Sequence, residues 1–277
     1  MKGCFILRKS FLTVAMILVM MILSGCGSSE TDDKQTIKIG TLTQLNNSPE
    51  NATKLVNGGE LNFFDSFNSM QMALSSGNIQ VVQTYGSVAK FMQENNPGFK
   101  VTESQTVHLV DKFCCAMREE DVVLKDLFNS AINTMKADGT LDALIHKYIT
   151  KFEGEPVSVN IAKIEGADTI KVGITGDLPM LDYVLPNGKP AGFNTAVLSE
   201  ISKRIDENIE LVQIDSAARA AALNSGQVDV VFWVVVPAEE NSDRPKDFDV
   251  PKGVAVTDPY YQDVVVNVNL SSLDIDF

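Results

Sequence analysis

Residue types that mark catalytic and nucleic-acid-binding proteins are scarce in this chain of 277 residues. Its two histidines, His108 and His146, lack the spacing to Cys, Asp or Glu residues that metal sites require. No glycine-rich phosphate loop follows a predicted strand, and no nucleophile–base pair is visible. Lys and Arg number 23 against 36 Asp and Glu, which argues against phosphate binding. We therefore predict no metal, no cofactor, no nucleic-acid partner and no enzymatic activity.

The apolar run FLTVAMILVMMIL at 11–23 is too short to span a membrane, since it has 13 residues and a spanning helix needs about 20. It follows three basic residues and precedes LSGC at 23–26, as in an export signal. This pattern resembles the lipobox of bacterial lipoproteins, in which Cys26 becomes the acylated first residue. We expect a lipoprotein signal peptide at 1–25 and a flexible tether at 26–35. An ordinary signal peptide or an uncleaved anchor is the alternative.

Cysteine is also scarce, with four in the chain. Cys4 lies in the predicted signal peptide and Cys26 directly follows it, which leaves the adjacent pair Cys114-Cys115. Neighbouring residues of a strand point to opposite faces, so a disulfide between these two requires a strained turn. We interpret them as small buried side chains, with a redox role as the alternative. Without a disulfide framework, the hydrophobic core must hold the fold together.

One ten-residue phrase occurs twice, as ALSSGNIQVV at 73–82 and ALNSGQVDVV at 222–231, with six identical positions. Each copy is preceded by a similar strand pattern, IKIG at 37–40 and IKVG at 170–173. The glycine in each phrase lies where a helix C-terminus favours left-handed backbone, and a β-branched run follows it. Strand, helix and strand in this order are typical of a parallel sheet covered by helices. The sequence therefore predicts an α/β fold with two similar lobes.

Between the lobes, apolar residues at helical spacing predict a helix with one buried face. These residues are Leu124, Leu127, Phe128, Ala131, Ile132 and Met135. Asp138-Gly139-Thr140 ends this helix, and Thr140 is expected to cap the next one. We expect the first α/β lobe at 36–112, a crossover strand and closing helices at 113–150, an extended linker at 151–168 and the second α/β lobe at 169–277.

Four segments in the second lobe resemble the amino-acid-type bacterial extracellular solute-binding proteins, which have the type II periplasmic-binding fold and serve ABC importers. They are IKVGITGDLPMLDY (170–183), AGFNTAVLSEISKRI (191–205), ALNSGQVDVV (222–231) and TDPYY (257–261). Residues 117–149 are similar to the closing helices of that family, and residues 36–105 to its other lobe. The resemblance implies a monomer whose two lobes close over a small solute and deliver it to a membrane permease.

The order of these segments differs from the order in the family. There, the segment resembling 170–183 comes first and the closing helices resembling 117–149 come last. We interpret the chain as circularly permuted, which proteins tolerate when the original termini lie close together at the surface. A fusion of two incomplete binding proteins, completed across a swapped dimer, is the alternative.

The resemblance places several ligand-binding residues in the second lobe. Asp177 matches an acidic position near the substrate ammonium, although a turn or capping role is the alternative. Asn194 lies in the matched AGFN segment. Tyr183 either replaces the family's stacking aromatic residues or belongs to the core. These residues lie in or beside a long loop predicted at 176–194, at the carboxyl end of a strand, where ligands collect in α/β sheets.

Other candidates stand where the sequence departs from the family. The Ser, Thr and Arg residues that clamp a carboxylate are missing after the DVV strand, where Trp233 stands instead. Its ring is a candidate for stacking on the ligand, and a place in the core is the alternative. Arg219 is the candidate for an anionic group. In the first lobe, Tyr85 occupies the acidic position. Thr43 and Asn46 precede a predicted helix start, where backbone N–H groups can hold an anion.

Together these features predict an exported protein, lipid-anchored to the outer face of the cell membrane or periplasmic, that binds a small polar or cationic, amino-acid-like solute for an ABC importer. One alternative is a ligand-sensing or partner-presenting lipoprotein with the same fold. A small-molecule lyase or dehydratase is a second alternative, because a few members of the fold catalyse dehydrations.

Overall fold

The repeated strand patterns lie in one twisted sheet that runs through both predicted lobes. The computed structural model describes residues 36–43, 45, 52–53, 59–103, 108–152, 154–238, 252–273 and 275. The predicted signal peptide, the tether with Cys26, and Asn46 lie outside the described residues.

Strands and helices alternate in two stretches of the described chain, at 59–102 and at 190–237. The strands are β1 (Ile37–Leu42), β2 (Gly59–Phe64), β3 (Val81–Tyr85), β4 (Phe99–Thr102), β5 (Val110–Arg118), β6 (Thr169–Ile174), β7 (Asp177–Leu178), β8 (Asp182–Val184), β9 (Pro190–Ala191), β10 (Asn208–Gln213), β11 (Val230–Pro237), β12 (Val254–Val256) and β13 (Tyr261–Leu270). The helices are α1 (Phe67–Ser75), α2 (Gly86–Asn95), α3 (Val122–Ala137), α4 (Thr140–Ile145), α5 (Phe193–Ile205) and α6 (Arg219–Asn224). A π-turn at His146–Thr150 follows α4, and a 3₁₀ turn at Ser216–Ala218 precedes α6.

The main sheet has parallel strands at both ends and antiparallel strands at its centre. Its order is β10-β6-β11-β5-β13-β3-β1-β2, with β12 beside β5 and β4 beside β13. β1 pairs in parallel with β2 and β3, and β6 with β10 and β11, whereas β5 and β13 pair antiparallel with their neighbours. The predicted α/β fold is confirmed. The permuted order and the lobe boundaries stay predictions.

Strand β13 belongs to both parts of the sheet. Its residues Tyr261–Val264 pair with β5, and its residues Val265–Asn269 pair with β3. The whole segment Thr36–Phe277 forms one compact unit. β5 and β13 therefore join the part of the sheet formed by β1–β4 to the part formed by β6, β10 and β11.

The two copies of the repeated phrase form equivalent junctions. Gly77 and Gly226 have φ angles of 76° and 72°, the left-handed conformation predicted for them. Two further glycines, Gly40 and Gly173, occupy matching positions in β1 and β6. A Cβ atom there would lie 2.5 Å from Cδ1 of Ile79 and 2.6 Å from Cδ1 of Ile214, respectively. In both copies the missing side chain makes room for an isoleucine methyl group of the layer beside the sheet.

Replacing Gly173 with alanine is expected to lower the free energy of unfolding by about 1–3 kcal/mol, because the added methyl group overlaps Cδ1 of Ile214. Ile214→Val removes that atom, so the double variant should be more stable than the sum of the two single losses predicts. Urea denaturation of the four proteins measures this coupling. Strict additivity of the two losses would contradict the proposed overlap.

Three local predictions are wrong. Thr140 does not cap α4, because the cap is Gly139 with a φ of 78° and Thr140 is already helical. Leu127 is 39% exposed and lies at the edge of the buried face of α3. The loop predicted at 176–194 contains a small antiparallel sheet of β7, β8 and β9, because Gly176 and Gly192 take positive φ angles and allow sharp turns.

The adjacent cysteines lie in the buried strand β5. Both Cys114 and Cys115 are free and buried, as the sequence predicts. Burial raises the pKa of the Cys114 thiol to about 12 and that of Cys115 well above its usual value. At neutral pH both therefore stay protonated, which makes them poor nucleophiles.

None of the helices among the described residues is long and apolar enough to cross a membrane.

Candidate functional site

A partly buried polar cluster lies where the carboxyl ends of the parallel strands meet. Thr43 follows β1, Asp65 follows β2 and Ser216 follows β10, while Asp177 comes shortly after β6. The Ser216 N–H donates to the Asp65 carbonyl at 3.2 Å, and the Thr43 hydroxyl donates to the Asp65 carboxylate at 3.0 Å. Residues from the two ends of the main sheet therefore meet at this point, which is where α/β sheets place their ligands.

Arg219, at the start of α6, is the buried cation of this cluster. Its side chain is 1% exposed and donates to three backbone carbonyls: Ser216 at 3.2 Å, Trp233 at 2.7 Å and Thr43 at 2.9 Å. A guanidinium has five N–H groups, so two remain beyond these three bonds within the described part of the chain. Burial lowers the pKa of Arg219 to about 10, although nearby Asp182, Tyr85 and Asp177 act in the opposite direction. Arg219 stays charged at neutral pH without a carboxylate in direct contact among the described residues.

Asp177 reaches from β7 to the first turn of α1. Its carboxylate accepts a hydrogen bond of 2.6 Å from the Phe67 N–H and a longer one of 3.4 Å from the Asn68 N–H. A carboxylate at a helix N-terminus is stabilised by free N–H groups and by the helix dipole. Burial nevertheless raises the pKa of Asp177 above its ordinary value, and the two N–H donors offset part of that shift.

Asp182 is a member of the cluster that the sequence analysis missed. It is 1% exposed and accepts hydrogen bonds from the Thr175 N–H at 3.0 Å, the Thr175 hydroxyl at 3.1 Å and the Gly176 N–H at 2.8 Å. Burial raises its pKa to about 6, and the neighbouring charge of Asp177 adds to the shift. A buried acid that fixes the turn between β6 and β7 reads in the sequence as an ordinary turn residue.

The raised pKa of Asp182 makes stability depend on pH. Because the folded state holds this proton up to about pH 6 and the unfolded state only up to about pH 3.8, Asp182 lowers stability as pH rises from 4 to 6. In the wild-type protein this titration should lower the free energy of unfolding by about 2–3 kcal/mol between pH 4 and pH 6, and Asp182→Asn should abolish that pH dependence. Urea denaturation at pH 4 and pH 7 measures the difference between the two proteins. The same pH dependence in wild type and variant would show that Asp182 is not the titrating group.

Aromatic rings form one wall of the cluster. Trp233, 1% exposed, lies with its ring centroid 5.4 Å from the Arg219 guanidinium, 5.7 Å from the Tyr85 ring and 5.0 Å from the Phe113 ring. Its Nε1 has no hydrogen-bond partner among the described residues. The Tyr85 hydroxyl lies 3.1 Å from the buried Asp111 carboxylate. The wall therefore combines a cation–π contact with an indole donor.

Five of the predicted site residues come together in this cluster, namely Asp177, Arg219, Trp233, Tyr85 and Thr43. For the two others that the structure describes, no direct contact with Arg219 or Trp233 is seen among the described residues. Tyr183 is half-buried in β8, opposite Asp177 in the strand pairing. Asn194, on α5, bonds through Oδ1 to the Tyr260 hydroxyl at 3.1 Å. Among the described residues, no group of three His, Cys, Asp or Glu side chains could hold a metal ion.

The family model for "Bacterial extracellular solute-binding proteins, family 3" matches residues 170–272. This segment contains Asp177, Asp182, Arg219 and Trp233. The resemblance to solute-binding proteins drawn from the sequence is confirmed for the segment 170–272, which matches this family. A comparison with curated proteins gives no match.

Several solved structures are similar to this chain at low identity. One is the ligand-binding component of an ABC-type import system from Staphylococcus aureus, solved with zinc bound, at 15% identity over 87% of this chain and 67% of that one, with a TM-score of 0.43. Another is an ancestral amino-acid-binding protein, a precursor of cyclohexadienyl dehydratase, at 11% identity over 85% and 82% of the two chains, with a TM-score of 0.42. The GluR0 ligand-binding core with L-glutamate has 10% identity over 86% of both chains and a TM-score of 0.38. These likenesses assign no ligand to this chain.

Proposed function

We propose that this protein is an exported, lipid-anchored receptor that binds a small polar or cationic, amino-acid-like solute and delivers it to an ABC transporter permease. The observation that carries the proposal is the buried arrangement of Arg219 near Asp177 and Asp182, at the carboxyl ends of the strands and within the segment that matches the solute-binding family. A site with fixed charges of both signs suits a solute that carries both an ammonium and an acidic group.

Each charged residue has a separate role in this proposal. Asp177 pairs with the ammonium of the solute, because burial makes an uncompensated ammonium costly there. Arg219 receives the acidic group through its two remaining N–H groups, and the Trp233 ring covers the apolar part of the solute. Tyr85 and Thr43 belong to the same cluster, through contacts with Trp233 and Arg219, respectively. Tyr183, opposite Asp177 in the strand pairing, and Asn194 remain predictions.

Hydrogen bonds across the cluster define what must open to admit the solute. Three of these bonds join the two ends of the main sheet. The Phe67 N–H donates to Asp177, Arg219 donates to the Thr43 carbonyl, and the Ser216 N–H donates to the Asp65 carbonyl. We propose that the lobes at 36–112 and 169–277 move about the central strands β5 and β13 as a hinge. Opening breaks these three contacts and leaves the shared strands paired.

A thermal-shift screen against amino acids, polyamines, short peptides and organic acids tests the proposed function. A bound solute at saturating concentration should raise the apparent stability by about 2–4 kcal/mol. Asp177→Asn should abolish the shift from solutes that carry an ammonium, because the amide keeps the shape and loses the charge. Glu165→Gln, a change at an exposed acid outside the cluster, is the matched control. If no solute shifts the melting of the folded protein, the receptor proposal fails.

The lipid anchor is tested separately. Cys26→Ala removes the acylation site, so the variant should appear in the soluble fraction while the wild-type protein stays with membranes. Equal membrane retention of the two proteins would contradict the anchor and leave the solute site untouched.

A further inference from the structure

A cavity lies beside the edge strand β10, away from the charged cluster, and it reaches inward to Ile174 of β6 and Val184 of β8. It has a volume of about 580 Å³, within the range of about 300–1,000 Å³ that is common for ligand sites. One wall is the edge strand β10, through Ile209, Leu211 and Gln213. The opposite wall is the linker segment 158–161, and the turn between β8 and β9 closes one end. We call this cavity the β10 groove.

Along this groove, the outward backbone groups of β10 have no hydrogen-bond partner within the described part of the chain. The Asn208 N–H donates to the Asp168 carbonyl and the Ile214 N–H to the Ile174 carbonyl, each at 2.8 Å. In a parallel ladder every second residue of a strand bonds through its backbone to a given neighbour. The even-numbered residues of β10 therefore direct their N–H and C=O groups toward β6. The N–H and C=O groups of Ile209, Leu211 and Gln213 therefore point away from the sheet. These same three residues line the groove.

The linker holds the groove open on its far side. The Val159 N–H donates to the Pro190 carbonyl at 2.9 Å, and the Ile164 N–H donates to the Asn208 side chain at 2.8 Å. The linker is thus attached at both ends of the segment that faces β10. Its apolar side chains Val159 and Ile161 lie across from Ile209 and Leu211, and both pairs are half-buried. The groove therefore has a free strand edge on one side and apolar side chains at alternate positions on both sides.

We propose that the β10 groove binds an extended peptide segment of a partner protein, which adds to the sheet as a strand beside β10. Main-chain bonds to an exposed strand edge supply affinity in this mode of recognition, and alternate side chains supply specificity. Lys189 is the charged residue of the lining. The bound segment therefore carries apolar side chains at alternate positions and a carboxylate that meets Lys189.

The test uses random octapeptides displayed on phage and panned against the immobilised full chain. Peptides with alternating apolar residues and an acidic group should be enriched. Fluorescence anisotropy of the synthetic peptide should then show binding at least tenfold weaker to Leu211→Pro, which removes one outward N–H without touching the ladder to β6. A peptide N-methylated at alternate amides should lose at least as much, and Lys189→Glu should weaken binding at least threefold.

Leu61→Pro is the matched control, because it makes the same change in β2, the strand at the other edge of the sheet. The Thr43 N–H donates to the Phe64 carbonyl, so even-numbered residues of β2 bond to β1. By the same alternation, the Leu61 N–H points outward. This variant should bind the peptide as wild type does. If Leu211→Pro does not fold, Ile161→Asp on the opposite wall takes its place.

Three results would overturn the proposal. Panning without enrichment is the first, and equal binding of the N-methylated peptide is the second. The third is competition between the peptide and a solute found in the thermal-shift screen, which would place the peptide in the charged cluster. Failure of the solute screen alone leaves this proposal unaffected, because the groove shares no residue with the cluster.

Discussion

Replacing Arg219 with methionine is expected to lower the free energy of unfolding by about 3 kcal/mol and to abolish solute binding. Methionine fills much of the same volume and offers no donor, so the carbonyls of Ser216, Trp233 and Thr43 lose their partners in a buried site. Each buried acceptor left without a donor costs about 1–3 kcal/mol. Burial of the Arg219 charge is itself unfavourable, as the lowered pKa of this group shows. Removing the charge therefore offsets part of this loss.

Urea denaturation and the thermal-shift screen measure the two effects separately. Arg219→Lys should be nearly as damaging, because the compact ammonium of lysine lacks the planar fork of donors with which the guanidinium reaches the three carbonyls. Arg204→Met is the matched control, since Arg204 bonds to Glu200 and Asp138 at the surface of α5. It should cost less stability and leave solute binding unchanged. A loss of less than 1 kcal/mol for Arg219→Met would contradict the structural role described for this residue.

Replacing Trp233 with alanine is expected to lower the free energy of unfolding by about 3–5 kcal/mol, the usual cost of deleting a large buried aromatic side chain. The indole packs against Tyr85, Phe113 and the Arg219 guanidinium, so its removal leaves a cavity at the centre of the cluster. Trp233→Phe keeps most of the packing and should cost about 1 kcal/mol.

The phenylalanine variant separates packing from hydrogen bonding. The Trp233 Nε1–H has no partner among the described residues, so losing it should cost little stability. If Nε1 donates to the solute, Trp233→Phe should lower solute affinity about tenfold. Phe91→Ala, which breaks an aromatic pair with Phe152 outside the cluster, should destabilise the protein without changing solute affinity. Unchanged affinity of Trp233→Phe would show that the indole serves packing alone.

Regular elements were predictable because their signals are local. The duplicated phrase located two helix ends and two buried strands, and Gly77 and Gly226 have the backbone that such junctions require. The segment 176–194 was misread, because β7, β8 and β9 have only two or three residues each and show no periodicity. Elements this short are held by neighbouring loops, and a single sequence does not show those neighbours.

The site was only partly predictable, because burial decides which polar residues matter. Asp177 was predicted from the family resemblance, and Arg219 from its place near the start of the helix that ends in the second copy of the repeated phrase. Asp182 was missed, since its raised pKa comes from burial under a small sheet that the sequence did not indicate. Asp111 was also missed, because nothing local shows that Tyr85 reaches it.

The pairing of β13 with both parts of the sheet has a consequence for how the chain folds. β3 lies at Val81–Tyr85, and its neighbour β13 is supplied only at Tyr261–Leu270. Bringing together two strands that lie so far apart in the sequence costs conformational entropy before their pairing stabilises the fold, and this slows folding. During synthesis, β3 must therefore stay incompletely paired until β13 has been made.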